Sequence, residues 1–402
     1  MKSNILYLCP NGLLEPLGRS QVLAYMKFLS HEFNFTVVSF EKEEDLKKIE
    51  RIKEIQGFCD EHNICWIPKK FRKKNRIINK PAEFLVLLAM TLYLSLTKNI
   101  SLIHCRSYIP TFAALICKKI TGKKFIFDMR ALLPEEMVTS KRIKNDSIAF
   151  KIYKILEKKS LENASHIISL TQAAIPHLEN INQGSSSRIT VIPTCVDLNI
   201  FSKKEVDFNP NQEKIVGSVG SVNSGWFPIE WLLDIYQVSK LKTPSSKLTV
   251  ISRDSDSNFK SLAYERGVDL SLITFKGCEQ AEVPLEMHKM TFGVVFNKSG
   301  LGRLGSFPTR MAEFLACGIP VIGNTGVGDV ANIIKRYNVG VVVDNFKKET
   351  LAKAINELDI LLQDPSLSDR CRKAAIEYFS AESGANSYGT VYKSIIKELI
   401  SK

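Results

Sequence analysis

Short apolar runs rich in β-formers alternate with segments of helical spacing along this chain, and the alternation stops and restarts once. "NILYLCP" (Asn4 to Pro10), "FTVVSF" (Phe35 to Phe40), "SLIHC", "KFIFDM", "SHIISLT" and "ITVIPT" read as strands. Between them lie helical patterns such as Val22, Leu23, Met26 and Leu29, the apolar stretch "PAEFLVLLAMTLYLSLTK", and "TFAALICKKI". Strands separated by helices imply a parallel sheet covered on both faces, because each parallel pair needs a crossover. The polar, aperiodic "VDFNPNQEK" (Val206 to Lys214) reads as a linker. Strands then resume with "KIVGSVGSV", "KLTVIS", "ITFKG", "FGVVFN", "PVIGN" and "GVVVD", followed by a helical close. The fold expected is α/β, with two Rossmann-like doubly wound domains facing across a cleft. Ligands of such sheets bind beyond the C-terminal strand ends.

The 402 residues, 45% hydrophobic and 24% charged, suffice for two cores. No apolar run reaches the ~18 residues of a spanning helix, and "MKSNILYLCPNG" is a poor match to a signal peptide. Nine scattered cysteines without CxxC read as buried thiols of a reducing compartment. The histidines are isolated, so no metal site is expected. A net charge of +13 points to a polyanionic partner: anionic lipid, nucleic acid or nucleotide phosphates. The excess concentrates in "KKFRKKNRIINK", with Lys69, Lys70, Arg72, Lys73, Lys74 and Arg76. This run is either a solvated loop before a core helix or a contact with an anionic membrane surface, where each cation is worth about 1 kcal/mol. Nucleic acid is not expected, because only Phe71 interleaves the basic residues.

Four segments carry candidate chemistry. In "GSFPTRMAEFLACGIPVIGN" (Gly305 to Asn324), Ser306 is the expected N-cap and Pro308 falls in the first turn. Gly318 and Pro320 close the helix. Met311, Phe314 and Leu315 form its apolar face; Thr309, Ala312, Glu313 and Ala316 form a small-residue face open to a ligand. A helix start with Arg310 suits a phosphate, and a carboxylate about two turns on suits two vicinal hydroxyls. Glu313 is therefore either a ligand group or an exposed glutamate paired with Arg310. "NGLLEPLGRSQ" offers Gly12 and Gly18 for close approach of an anion, or is a plain strand-to-helix loop; it contains neither GxGxxG nor a P-loop lysine. "FDMRALLPEE" places Asp128 and Arg130 at a strand end with Glu135 and Glu136 nearby, either a site or a structural ion pair. Asp254-Ser-Asp256 reads as a solvated loop.

The combined motifs resemble glycosyltransferase family 4, retaining enzymes of the GT-B fold that use nucleotide-sugar donors. "VIPTCVDLNIF" (Val191 to Phe201) resembles the family's V-I-P-N-G-V-D-x-x-x-F segment, and "EFLACGIPVIGNTGVGD" its E-A-M-A-x-G-x-P-V-I signature. "FDMRALLPEE" and "SFPTRMAEFLACG" are similar to a subgroup with F-D-x-R-G-x-x-x-D-E and S-x-P-T-K-x-x-E-x-L-A-x-G. The resemblance implies an acceptor domain at 1–205, a donor domain at 206–385, and a helix at 386–402 crossing back to the first domain.

It also implies that Glu313 holds the donor ribose. Gly305 stands where the family often has a second glutamate, eight residues before the first. The usual phosphate-binding Arg and Lys are missing from "GSVGSVNSGW", so Arg303 and Arg310 are expected to replace them. Gly18, Gly220, Gly277, Ser306 and Thr309 complete the expected donor set, and Gly12, Arg106, Glu135 and Glu136 the acceptor side. Arg130 replaces a common histidine and is expected, with Asp128 and Glu313, at the catalytic centre, orienting a donor phosphate or an acceptor anion. No cofactor or metal is implied. The partners implied are a nucleotide-sugar donor, a lipid-linked saccharide acceptor and the inner face of a bacterial plasma membrane, in surface-glycan synthesis. A nucleotide-sugar epimerase and a non-catalytic nucleotide-sugar-binding relative are the alternatives.

Overall fold

In the computed structural model, which describes residues 2–71, 76–203, 213–279 and 281–400 (backbone alone for 76–80), the chain forms two compact units. Unit 1 comprises Met1–Pro193 with Ala381–Lys402, and unit 2 comprises Thr194–Ser380. The sequence boundaries were 205/206 and 385/386; the units divide at 193/194 and 380/381. Arg72, Lys73, Lys74, the Arg76 side chain and the 206–212 part of the linker lie outside the described residues.

Unit 1 holds seven parallel strands: β1 (Ser3–Cys9), β2 (Phe33–Lys42), β3 (Cys65–Phe71), β4 (Leu102–Arg106), β5 (Phe125–Met129), β6 (His166–Ser169) and β7 (Ile189–Val191). Their order is β3-β2-β1-β4-β5-β6-β7. Unit 2 holds six: β8 (Ile215–Val219), β9 (Lys247–Ile251), β10 (Ile273–Lys276), β11 (Phe292–Val294), β12 (Val321–Asn324) and β13 (Gly340–Val343). Their order is β10-β9-β8-β11-β12-β13. The chain reverses its direction of sheet growth between β1 and β4 and between β8 and β11, the places where open α/β sheets leave room for ligands. Ile5, Leu6, Leu8 and Cys9 of β1 are 0% exposed, as the central strand of a sheet covered on both faces requires.

The helix Arg76–Thr97 departs from the core role expected of it. It buries Leu87, Thr91, Leu94 and Ser95 but exposes Leu85, Val86, Tyr93 and Leu96, an apolar stripe at helical spacing on its outer face. No helix among the described residues is long and apolar enough to cross a membrane. All nine cysteines are free, and seven are buried.

The glycine loop after β1 is shaped by an internal carboxylate. Glu41, at the end of β2, is fully buried and accepts hydrogen bonds from the Leu13 N–H (2.8 Å), the Leu14 N–H (3.1 Å) and the Ser39 hydroxyl (2.6 Å). A Cβ on Gly12 would lie 2.2 Å from Glu41 Oε2, and one on Gly18 2.1 Å from the Gly12 carbonyl oxygen. The anion that these glycines admit is therefore the protein's own. Gly12→Ala and Gly18→Ala should each destabilise the protein, by about 1–3 kcal/mol from overpacking; a lowered midpoint of urea unfolding at unchanged slope would show it, and an unchanged midpoint would refute it.

Candidate functional site

In unit 2 the segment Gly305 to Asn324 forms the helix Thr309–Ala316 and β12. Ser306 does not cap the helix. Its hydroxyl faces the Gly302 carbonyl at 3.5 Å, and Pro308, with extended ψ of 112°, is the residue at the cap. A residue before proline disfavours helical geometry, so Phe307 delays the start. The small-residue face also differs from expectation. Ala312 and Ala316 are fully buried, and Arg372 of the neighbouring helix Leu367–Phe379 donates to the Ala316 carbonyl at 2.7 Å. The two alanines are closed to a ligand, while Thr309, Arg310 and Glu313 are left half-buried.

Glu313 makes no hydrogen bond or ion pair with any described residue. Burial raises its carboxyl to about 7, and the Arg310 charge only partly opposes this. The alternative of a surface Arg310–Glu313 ion pair is thus not what forms. Arg310 instead stacks over Phe227, 4.6 Å from the ring centre, with Nη2 3.5 Å from the Ser221 carbonyl and Nη1 buried without a hydrogen-bond partner. Burial lowers its pKa to about 10, so it stays charged at neutral pH.

The loop that Arg310 touches follows β8. Gly220 has φ of +102°, a conformation that favours glycine. Asp254 Oδ2 accepts from the Ser221 hydroxyl (2.7 Å) and the Val222 and Asn223 N–H groups (2.8 Å each). Asp254 is therefore a clamp within the solvated loop that its sequence suggests. Gly277 lies after β10, where a Cβ would contact the Ser252 carbonyl at 3.4 Å. Arg303 is 6% exposed and lies over Trp226, 4.1 Å from the ring centre, so it is held inside the unit.

In unit 1, Asp128 at the end of β5 is the centre of a polar cluster. It is 0% exposed. Its oxygens face Arg130 Nη1 (3.5 Å), Arg106 Nη1 (3.8 Å), His104 Nε2 (3.2 Å) and the donating Tyr388 hydroxyl (3.2 Å). Burial alone would raise the Asp128 carboxyl; Arg130, the His104 hydrogen bond and Arg106 together hold it well below the usual carboxylate range. Burial lowers the His104 pKa, with Asp128 opposing. Neutral His104 then donates from Nε2 to Asp128 and accepts at Nδ1 from the Tyr392 hydroxyl, 2.7 Å away. Tyr7 stacks on the same ring at 4.2 Å. Tyr388 and Tyr392 lie on the C-terminal helix Ala381–Ile400. With no exposed surface, Asp128 cannot touch a substrate; it positions Arg106 and Arg130.

Arg130 also donates to the Tyr388 hydroxyl (3.4 Å) and to Gln21 Oε1 (3.3 Å). Gln21 sits in a π-helical turn, Arg19–Leu23, a widening that recurs near functional sites. Glu135 is committed elsewhere: it accepts from Lys154 (2.6 Å) and faces His177 (3.3 Å). Lys154 bridges to buried Glu157, which takes the Tyr108 hydroxyl at 2.5 Å. Glu136 is half-buried and has partners of its own. His104, Tyr388, Tyr392, Glu41 and Glu157 were not picked out by the sequence; a lone polar residue inside an apolar strand is the signal that marks His104. Among the described residues no group of three or more His, Cys, Asp or Glu side chains could hold a metal ion.

Two tandem parallel α/β units, each with polar groups at its strand ends, define the GT-B class of architecture. Residues 201–378 match the model described as glycosyl transferases group 1, and residues 29–200 the one described as glycosyltransferase family 4. Together the two models span most of the chain, and the protein belongs to the GT-B glycosyltransferases of this type. A glycosyltransferase from Rickettsia africae is similar in structure, with a TM-score of 0.71, 18% identity and coverage of 98% of this chain and 99% of that one. Anabaena HepE in complex with UDP and glucose has a TM-score of 0.68 at 13% identity, covering 99% of each chain. The lipopolysaccharide outer core galactosyltransferase WaaB has a TM-score of 0.64 at 13% identity, covering 98% and 99%. At these identities the likeness is one of fold. No curated protein matches the chain significantly.

The buried charge of Asp128 gives the first test of unit 1. Asp128→Asn should cost about 3–5 kcal/mol, because it leaves two arginines without their common counter-charge. The carboxyl is depressed in the fold, so its stabilisation is complete above its ordinary value of 3.8 and is lost as pH falls below it. Urea unfolding at pH 7 should reveal the loss, and an Asp128→Asn protein as stable as the parent would contradict the assignment.

Proposed function

We propose that the protein transfers a sugar, with retention of configuration and without a metal ion, from a nucleoside-diphosphate sugar to a lipid-linked or saccharide acceptor of bacterial surface polysaccharide. The observation that carries the donor half is Glu313: a half-buried carboxylate with no hydrogen-bond partner among the described residues, one helical turn from a cation braced against the Gly220 loop. A ribose offers two vicinal hydroxyl donors to such an acceptor-only group. Arg310 Nη1 and the first-turn N–H groups of Thr309–Ala316 suit the diphosphate, where negative charge grows as the sugar leaves. Support for the nucleotide comes from the UDP that the Anabaena relative binds, and for the pathway from the WaaB relative's role in lipopolysaccharide. Gly305 in place of a second carboxylate favours the non-catalytic reading, which turnover decides.

Incubation with UDP-, GDP- and dTDP-sugars should release nucleotide slowly with at least one donor, and Glu313→Ala should abolish release. Donor binding without turnover in the presence of a lipid-linked acceptor extract would favour the non-catalytic reading. The raised Glu313 carboxyl adds a pH signature. Between about 4.5 and 7 the empty folded protein keeps a proton that the unfolded chain has released, so this group's contribution to stability falls as pH rises through that window. Ribose binding calls for the ionised form. Nucleotide affinity should therefore rise with pH up to about 7 in the parent relative to Glu313→Gln; parallel profiles would rule out the ribose contact.

We further propose a cytoplasmic protein held at the anionic inner face of the plasma membrane through unit 1. The support is the exposed Leu85, Val86, Tyr93 and Leu96 on the helix that follows the basic run. An apolar face beside lysines and arginines suits the boundary between headgroups and acyl chains. Lys70 is partly engaged within the protein, since it pairs with Glu43 at 2.9 Å. Replacing Lys69, Lys70, Arg72, Lys73, Lys74 and Arg76 should release the protein from anionic vesicles at low salt; unchanged co-sedimentation would refute membrane attachment.

A further inference from the structure

The helix Thr309–Ala316 is anchored at its C-terminal end by a side chain from outside it. A helix leaves its last four carbonyls without partners of its own. Here the Glu313 carbonyl accepts from the Cys317 N–H (3.1 Å), that of Phe314 from the Ile319 N–H (2.9 Å) and that of Leu315 from the Gly318 N–H (3.0 Å). The Ala316 carbonyl takes a side chain instead, Arg372 Nη1 at 2.7 Å. The same guanidinium reaches two more carbonyls: Nη1 lies 2.5 Å from that of Phe201, and Nη2 3.0 Å from that of Leu198. Its charge also suits a helix C-terminus, where the peptide dipoles end negative.

Leu198 and Phe201 belong to the segment with which unit 2 begins. That segment is a tight turn. The Ile200 and Phe201 N–H groups donate to the Asp197 carbonyl (3.2 and 3.0 Å), and the Asn199 N–H donates to Asp197 Oδ1 (2.9 Å). Just before the turn, the Val196 N–H donates to the Phe379 carbonyl (2.8 Å), and Val196 bridges to Ser380, the last residue of unit 2. The helix Leu367–Phe379 thus holds the first and last stretches of unit 2 and, through Arg372, the helix that carries Glu313. Ala316 lies about one turn beyond Glu313 on that helix. The planar fork of arginine can serve three converging carbonyls at fixed geometry, whereas a lysine ammonium is a point donor on a flexible stem.

We propose that Arg372 is a positioning residue of the donor site and couples it to the start of unit 2. By clasping the Ala316 carbonyl together with those of Leu198 and Phe201, it sets the helix of Glu313, so that nucleotide bound at Glu313 stiffens residues 195–201. Arg372 acts through the helix and not by touching the ligand. Calling the ligand a nucleotide rests on the donor reading; the three-carbonyl clasp does not. The coupling is reciprocal: a segment already held firm favours the ligand as much as the ligand favours it.

The test is hydrogen–deuterium exchange of the full-length protein, read by mass spectrometry with and without UDP, in the parent, Arg372→Met and Arg372→Lys. In the parent, UDP should slow exchange roughly threefold or more in residues 195–201 as well as in 309–318. In Arg372→Met, saturating UDP should still slow 309–318 and no longer slow 195–201, and its affinity should fall roughly tenfold. Arg372→Lys, which keeps the charge but not the fork, should fall between the two and guards against a folding defect in the methionine variant. A purely structural arginine would raise exchange across unit 2 and leave the difference between free and UDP-bound protein as in the parent; that result would overturn the proposal. So would UDP protection confined to 309–318 in the parent. If the parent does not bind UDP, the donor reading falls and the clasp is judged without ligand. Arg372→Met must then speed exchange in both 199–201 and 317–318 beyond the rest of unit 2, and acceleration of one alone overturns the clasp.

Discussion

The burial of the Asp128 charge organises unit 1. A carboxylate with no solvent survives only when its oxygens are met by cations and donors of good geometry. Here they come from three separate parts of the chain: His104 and Arg106 on β4, Arg130 after β5, and Tyr388 on the C-terminal helix. Tyr392, on that same helix, fixes the tautomer of His104. The last helix is thereby part of the unit 1 core, although unit 2 lies before it in the chain. Tyr25 stacks edge-on against Tyr388 at 5.2 Å, and Phe33 against Tyr392 at 5.2 Å, so apolar packing reinforces the polar contacts.

A second device is common to both units. The loop after the first strand is held by a carboxylate from the neighbouring strand's C-terminal end. In unit 1 it is Glu41 at the end of β2, bound to the Leu13 and Leu14 amides. In unit 2 it is Asp254 after β9, bound to the Val222 and Asn223 amides. Dinucleotide-binding sheets leave the corresponding amides for a pyrophosphate. An internal carboxylate occupies them here, which accounts physically for a chain with two Rossmann-like units and no GxGxxG. It also leaves side chains as the cations at these strand ends: Arg310 in unit 2, and Arg106 and Arg130 in unit 1.

Much of the architecture was legible because strand runs such as "NILYLC" and "FIFDM" are continuous and apolar, as strands buried on both faces must be. The position of Glu313 on a helix closed by Gly318 was legible too, from periodicity and end signals. What was hidden depends on partners distant in sequence. Glu41 reads as one more charged residue at a strand end until its amides, 27 and 28 positions away, are seen. Asp128 and Tyr388 are 260 positions apart, beyond any local pattern. The helix start was misjudged at Ser306 because proline's effect on the preceding residue outweighs the capping preference of a serine. The small-residue face was misjudged because alanines serve helix packing as readily as ligand approach.

Asp128 and Glu313 show how one physical cost separates structure from site. Burial pushes both carboxyls upward. Around Asp128 fixed cations and donors more than reverse the push, and the group ends below its ordinary range. Around Glu313 only the Arg310 charge opposes it, without a hydrogen bond, and the carboxyl rests near 7. Asp128 Oδ1 has no hydrogen bond either, but it is enclosed and faces the Arg130 charge. Glu313 is only half-buried, and hydroxyl donors would supply its missing hydrogen bonds, so its desolvation cost would become part of the selectivity for a ligand that carries them. The arginines differ in setting: Arg303 lies closed over Trp226 and Arg310 over Phe227, while Arg106 and Arg130 flank Asp128.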